Sequence, residues 1–494
     1  RVLFRSEALS HLKKIVEAKN INPNLVLNAG KVYLELELFD DAVSLFSDLV
    51  KNNINKVKAK IELISAKKQI CCWDNYEIEC REIKQLCKSQ ENSDNNTFMY
   101  FEDNQEIQFQ LAKSYANKRF KNIDDDFKFY KKSLNKRKIK IGYISSDFRD
   151  HPVTKLVFRI IQLHDSDKFE VHAYSLFDEI EDEYTNYVKE GANNFVNLSY
   201  KSDDEIVDII RADELDIAID LMGYSKNSRP NIFAKRIAPV QISYLGFPGT
   251  TGSKFIDYII ADEILIPKKD QKFFSEKVIY LNQSALCCDD RLIFLEKENA
   301  REKYNLPKNG FIFACFNNNL KICPKIFKIW MQILEAVDNS FLVLYASNEN
   351  SKKNLIKEAE SQNISKDRLI FAEYLPINEH IKRHSQCDLF LDTLNFSAGA
   401  TAVFSLLSGT PILTCNGNAF YSRMSASLLS GIDLDELIMD SPESYKKRAI
   451  DLAKNKSKYK LIKDKLMHNL GSKKYLNSEI FTRELEDKLK NLLI

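Results

Sequence analysis

Short apolar runs of strand length alternate with amphipathic stretches of helix length, and they do so in two separate series. The first series starts at Lys138 with KIKIGYISSDF, an apolar strand ending in a polar turn. It continues through Glu170–Leu176, Leu215–Met222, Val240–Gly246, Tyr258–Asp262 and Lys277–Leu281, mostly separated by helical segments such as Asp203–Arg211. The second begins at Gly310 with FIFACFN and runs through Ser340–Ser347, Arg368–Tyr374, Leu389–Thr393 and Pro411–Cys415. Apolar strands joined by helices bury both faces as a parallel sheet with a helical layer on each side. The chain is therefore α/β, with two Rossmann-like halves predicted over 137–290 and 291–470. Their ligand belongs in the cleft between the C-terminal edges of the strands. From Ser441 the tail is helical and charged, with a last helix over 471–494, and is expected to pack across both halves.

Residues 1–130 read differently, as helices with few strand-like runs. Gly30, Tyr33, Ala42 and Phe46 fall at the spacing of a tetratricopeptide repeat, and Ala8 and Leu12 precede Ala42 and Phe46 by its 34-residue period. One repeat is clear and the one before it is half present. Fewer than about three such repeats cannot bury a continuous core, so this segment reads as a helical cap on the next domain rather than a free-standing binding array. The chain begins on Arg1, not Met, and is expected to be a piece of a longer protein. Asp124-Asp125-Asp126 could suggest a divalent cation, but in a Lys-rich connector with no apolar strand before it the triplet reads as solvated charge.

The charges nearly cancel, 72 basic against 70 acidic, and a net +2 gives no footprint for nucleic acid or an anionic membrane. No apolar run approaches the roughly 20 residues of a membrane span, so no membrane insertion is expected. The ten cysteines include no CxxC, and Cys71, Cys72, Cys80 and Cys87 match no common zinc spacing. The expectation is no metal and a reducing, cytoplasmic setting.

Four loops at strand ends carry the polar groups that chemistry needs. After the first strand comes Ser145-Ser146-Asp147-Phe148-Arg149-Asp150-His151-Pro152, where Asp147 and His151 are either proton handlers or a helix cap with a surface histidine. Leu245-Gly246-Phe247-Pro248-Gly249-Thr250 allows close backbone approach to a ligand, or simply makes a tight turn. Phe316-Asn317-Asn318-Asn319-Leu320-Lys321 offers amides and a cation suited to a phosphate. Ser397-Ala398-Gly399-Ala400-Thr401 opens a helix whose N-terminus would face an anion, with His380, Arg383 and Thr401 around the mouth. By itself that loop reads as an ordinary βα turn, and the other loops pointing to the same place favour the anion site.

KIGYISSDFRDHP, RPNIFAKRIAPVQISYLGFPGTTGSKFIDYIIAD, CFNNNLKICPKIFKIWMQIL, HIKRHSQCDLFLDT and FYSRMSASLL together resemble the catalytic region of the O-linked N-acetylglucosamine transferase/SPINDLY family, of bacterial type and like glycosyltransferase family 41. The likeness covers roughly residues 70 to 470, in order. It implies a GT-B fold and an inverting, metal-independent transfer of a sugar, GlcNAc from UDP-GlcNAc, to Ser or Thr hydroxyls of an acceptor protein or peptide, with no cofactor. It places Asp147 and His151 beside acceptor and sugar, and Gly246, Phe247, Pro248, Gly249 and Thr250 along the sugar. Lys321 falls on the donor diphosphate, with Asn318, His380, Arg383, Gly399, Ala400 and Thr401 in donor binding. A homo-oligomer is compatible with the sequence.

The departures are local. Gly399-Ala400-Thr401 stands where the family commonly reads His-Thr-Thr, and Phe404 stands where an Asp normally holds the ribose hydroxyls. An upstream His of the animal enzymes has no counterpart near Asn95–Met99. Losing a charge-assisted hydrogen bond costs on the order of 1.5–3 kcal/mol, roughly ten- to a hundredfold in affinity. The alternatives are a donor such as GDP-fucose, or a degenerate member that serves as a protein-interaction scaffold.

Overall fold

The computed structural model describes residues 22–88, 95–121, 137–178, 181–294, 300–472 and 474–493. Its first sheet is built from β1 (Ile139–Ser145), β2 (Phe169–Ser175), β3 (Asn194–Asn197), β4 (Ile217–Asp220), β5 (Val240–Ser243), β6 (Tyr258–Ala261) and β7 (Lys277–Tyr280). Every pairing is parallel, in the order β3-β2-β1-β4-β5-β6-β7. The second sheet comprises β8 (Phe311–Cys315), β9 (Ser340–Tyr345), β10 (Leu369–Ala372), β11 (Leu389–Leu391), β12 (Ile412–Cys415) and β13 (Ile438–Met439). It too is parallel, ordered β10-β9-β8-β11-β12-β13. In both sheets the chain starts centrally, winds outward, then returns to wind the other way. The direction switches between β1 and β4, and again between β8 and β11, which opens a crevice at those strand ends.

Two strands escape the sequence pattern. β3, Asn-Phe-Val-Asn, is a half-buried edge strand paired only with β2, and β13 is two residues long. Neither carries the sustained apolar run that marks a central strand.

The helical segment comprises Pro23–Glu35, Phe39–Lys51, Lys56–Gln69, Tyr76–Lys88, Asn95–Met99 and Gln105–Arg119. In the first pair Gly30 lies directly under the ring of Phe46, so close that a β-carbon would collide with it, and Ala42 and Phe46 are fully buried. This is the small-against-aromatic packing that the repeat spacing requires. Ala8, Leu12 and the Asp124–Asp126 triplet lie outside the described residues.

Contacts from this segment reach both sheets. Asp103 accepts hydrogen bonds from the N–H groups of Asn418 (2.8 Å) and Ala419 (2.9 Å), and Gln105 Oε1 from that of Phe420 (3.0 Å). Gln108 Nε2 donates to Thr250 O at 3.0 Å, and Trp73 packs on Phe327 with ring centroids 5.5 Å apart. In the tail, Tyr445 and Tyr459 donate to the carbonyls of Asp392 (3.0 Å) and Asp388 (2.9 Å), which holds Pro442–Lys454 and Lys456–Gly471 on the second sheet. The last helix, Ser478–Asn491, crosses to the first sheet, where Glu486 Oε1 accepts the N–H of Asp165 (2.7 Å) and meets His164 Nδ1 at 3.1 Å. Arg423–Asp270 (3.1 Å) and Ser427–Asp262 (2.5 Å) tie the halves directly.

Candidate active site

The switch point of the second sheet is organised by Asp392, the first residue beyond β11. Its carboxylate accepts from Asn317 Nδ2 (3.2 Å), the N–H groups of Thr393 and Ala398 (2.8 Å each) and Thr414 Oγ1 (2.8 Å). These bonds fold the 393–399 loop back against the turn that follows β8. Asn317, tied also to Thr393 Oγ1 at 2.9 Å, pins that turn from the other side. Lys321 ends it, donating from Nζ to Ser397 O (2.8 Å) and lying 4.3 Å from the centre of the Phe396 ring. Burial pushes the Lys321 ammonium down to about 8, against the attraction of Asp392. One of its three N–H groups goes to Ser397. Two residues past that carbonyl, Gly399 caps the helix Ala400–Leu407, and Gly399, Ala400 and Thr401 are half-exposed at its mouth. A cation beside a helix N-terminus at a sheet's switch point suits a diphosphate.

An aromatic rim borders this mouth. Phe316, the first residue after β8, packs edge-on against His380 (5.1 Å) and His384 (4.4 Å), and His380 faces Phe404 at 6.4 Å. Arg383 NH2 donates to His380 Nδ1 (2.7 Å), and His380 Nε2 meets His384 Nε2 at 3.1 Å. Burial, reinforced by Arg383, drives the His380 pKa down to about 3, so the ring is neutral. With Nδ1 accepting from Arg383, its proton sits on Nε2 and points at His384.

Across the cleft, the loop after β1 brings Asp147 and His151 together. Asp147 is 6% exposed, and His151 Nδ1 lies 3.4 Å from its Oδ2. The same Nδ1 lies 3.3 Å from the N–H of Val153, where it caps the helix Pro152–Leu163. One nitrogen cannot donate to the carboxylate and accept from the amide at once. Burial lowers the His151 pKa, which favours the neutral, capping form with its proton on Nε2. The cap of this helix is therefore His151 rather than the Asp. Asp150, ion-paired with Lys155, accepts from Tyr374 OH of the opposite half at 3.3 Å.

Three expectations need correction. Phe247, Gly249 and Thr250 do not line the cleft: Phe247 packs on Tyr224 in a cluster with Met99 and Tyr115 of the helical segment, Gly249 lies on Gln108 of that segment, and Thr250 Oγ1 donates to the buried Glu276 at 2.6 Å. Of that loop Leu245, Gly246 and Pro248 are partly exposed, and Gly246 is pressed against the Leu221 carbonyl. Arg383 does not reach the mouth. It is 4% exposed, with its guanidinium held by Glu373 O (2.7 Å) and His380 and lying over Phe316. Asn318 is exposed, but its side chain accepts the N–H of Leu320 (2.9 Å) and caps the turn. Sequence reasoning also passed over Asp392, Phe316, Lys155 and Tyr374. Asp392 alone carried a signal, as the polar residue ending an apolar strand.

Two doubly wound halves facing each other, with their switch-point loops turned into a shared cleft, define the GT-B class of glycosyltransferase folds. The model of Glycosyl transferase family 41 matches residues 70–300 and 297–485, and the chain belongs to that family. It is 34% identical over 336 residues to the probable UDP-N-acetylglucosamine–peptide N-acetylglucosaminyltransferase SEC of Arabidopsis thaliana, covering 67% of this chain and 34% of that protein. It is 28% identical over 367 residues to the probable enzyme SPINDLY of Hordeum vulgare, covering 72% and 38%. The chain thus spans little more than a third of the length of these relatives. A mutant O-GlcNAc transferase from Thermobaculum terrenum superposes with a TM-score of 0.81 at 24% identity, over 96% of this chain and 91% of that one, a likeness of fold. Among the described residues no helix is long and apolar enough to cross a membrane.

Proposed function

We propose that this chain is the catalytic part of a protein O-glycosyltransferase that moves a sugar, GlcNAc from UDP-GlcNAc, onto Ser or Thr hydroxyls. The observation that carries the reading is the position of Lys321: a partly exposed cation at the second sheet's switch point, beside a helix N-terminus and across the cleft from Asp147 and His151. The names of the relatives support the donor and the peptide acceptor. In the proposed step the acceptor hydroxyl attacks the anomeric carbon from the Asp147/His151 side. The new C–O bond forms as the bond to the diphosphate breaks, with inversion, and the hydroxyl proton passes to that pair. The diphosphate leaves with its growing charge held by Lys321 and the N–H groups at Gly399–Thr401. A fixed ammonium in this place supplies the charge that a divalent ion supplies elsewhere, so the reaction needs no metal. Buried free thiols such as Cys315 and Cys387 fit a cytoplasmic setting.

The test is transfer of labelled GlcNAc from UDP-GlcNAc to a Ser/Thr-rich peptide mixture, with and without EDTA, by the chain and by Lys321→Ala and Asp147→Asn. Turnover that survives EDTA and falls at least a hundredfold in Lys321→Ala supports the reading. Turnover abolished by EDTA overturns metal independence, and full turnover in Lys321→Ala overturns its role. A second reading, a scaffold that has lost donor binding, draws on Phe404 and predicts no transfer and no nucleotide binding by a folded chain.

A further inference from the structure

Among the described residues three aromatic side chains are exposed, and all three lie around the loop that carries Asp147 and His151: Phe177 (38%), Tyr200 (80%) and Tyr374 (70%). They follow β2, β3 and β10, so each emerges at the C-terminal edge of a sheet, on the flank of the cleft where the acceptor arrives. Direct contacts join them into one surface. The Arg149 guanidinium lies 5.4 Å from the centre of the Phe177 ring and 3.4 Å from Asp147. Asp178, the next residue after Phe177, accepts from the Tyr200 hydroxyl. Tyr374, on the opposite half, donates to Asp150 Oδ2 at 3.3 Å. Exposed tyrosines grouped with an arginine are the composition of a binding surface. Its charge sets what it can hold. The cations present are engaged by carboxylates of the same surface: Arg149 by Asp147, Lys155 by Asp150, and Lys189 by Glu181 at 2.6 Å. Asp178 and Asp182 accept only from a hydroxyl and from backbone or Thr185 donors and pair with no cation among the described residues. Both exposed tyrosines aim their hydroxyls at a carboxylate, which leaves electron-rich ring faces open to solvent. A ring of that kind with a carboxylate at its edge holds an ammonium or guanidinium group. The whole chain carries a net +2, so no long-range field draws cations here and any preference for them is local.

We propose that this rim docks the acceptor polypeptide and selects segments that carry Lys or Arg beside the modified Ser or Thr. The inference rests on the acceptor side assigned above and goes beyond it by naming the acceptor's chemistry. Tyr200 and Tyr374 are the residues that set the preference. Asp150, which holds Tyr374, lies three chain positions from Asp147, a separation of about 10 Å at most, and an extended peptide covers it in roughly three residues. The cation therefore belongs roughly three residues from the modified hydroxyl.

Fluorescence anisotropy of the whole chain tests the inference, with a labelled Gly/Ala peptide bearing a central Ser and an Arg at that spacing on either side, against the same peptide with Gln in place of Arg. Transfer of GlcNAc to both peptides is measured alongside. Support is an Arg peptide bound about fivefold or more tightly, the range of one or two exposed cation–π contacts, with the advantage lost in the Tyr200→Leu/Tyr374→Leu double variant. Equal binding, binding of neither peptide, tighter binding of a Glu-substituted peptide, or an advantage that the double variant keeps overturns the inference and leaves the transferase reading to the transfer assay. Transfer to neither peptide while the Arg preference holds overturns the transferase reading and leaves the rim as a docking surface for basic segments. A dimer of the chain that the double variant dissociates gives the rim to a second copy and overturns the inference. The comparison of the two peptides on the unaltered chain stands even where the double variant fails to fold.

Discussion

Raising the pH should strip the diphosphate site of its charge well before an ordinary lysine would lose its proton. Burial holds free Lys321 at about 8, and a bound diphosphate, adding negative charge beside it, moves that value back up toward or above the usual 10.4. Below pH 7 the ammonium is almost wholly protonated. At pH 9 only about one free molecule in eleven carries the proton, so UDP affinity should fall about tenfold between pH 7 and pH 9, or about 1.4 kcal/mol. A phosphate's last ionisation lies near pH 6, so the ligand's own charge is constant over this range. Calorimetry at pH 9 in two buffers of different ionisation enthalpy should show uptake of close to one proton on binding. Folding has the opposite sign: the depressed pKa costs stability below pH 8, and the cost is relieved as pH rises through 8 toward 10.4. A flat UDP affinity from pH 7 to 9 with no proton uptake would refute the reasoning, as would an identical slope in Lys321→Met.

Other consequences concern the framework. Gly246→Ala places a β-carbon against the Leu221 carbonyl oxygen and is expected to cost at least about 1–3 kcal/mol in urea unfolding. Thr250→Val removes a hydroxyl donating to buried Glu276 and should cost about 1–3 kcal/mol while leaving KM for the donor unchanged. A donor KM raised tenfold without loss of stability would return Thr250 to the sugar. Asp103→Ala removes the acceptor of the Asn418 and Ala419 N–H groups and should lower stability by a similar amount, about 1–3 kcal/mol, detected as earlier proteolytic release of the helical segment.

The two sheets were legible because central parallel strands are buried on both faces and read as apolar runs. β3 and β13 were not, because an edge or a two-residue strand needs no such run. At the site, sequence position located Asp147, His151, Lys321 and the Gly399 mouth, since a polar residue just after an apolar strand can only emerge at the sheet's C-terminal edge. It misjudged Thr250 and Arg383 for a common reason: position along the chain does not say which way a side chain turns. Thr250 turns inward because the helix Gln105–Arg119, more than a hundred residues earlier, roofs its loop. Arg383 turns inward because His380 and Glu373 O take its donors. Asp392 was passed over because its work is done on backbone N–H groups that only the folded loop brings together.

The crossing of the helix Ser478–Asn491 onto the first sheet has a temporal side. His164 pairs with Glu486 across 322 positions of sequence. A ribosome adding about 5–20 residues per second delivers that partner roughly 16–64 s after His164. During that interval the helix Pro152–Leu163 waits with one flank bare and its terminal carbonyl, Leu163 O, without the Arg483 donor it later receives at 2.7 Å. The first half is therefore made before the second yet finished after it, and nascent chains stalled before Arg483 should hold it open to chaperones.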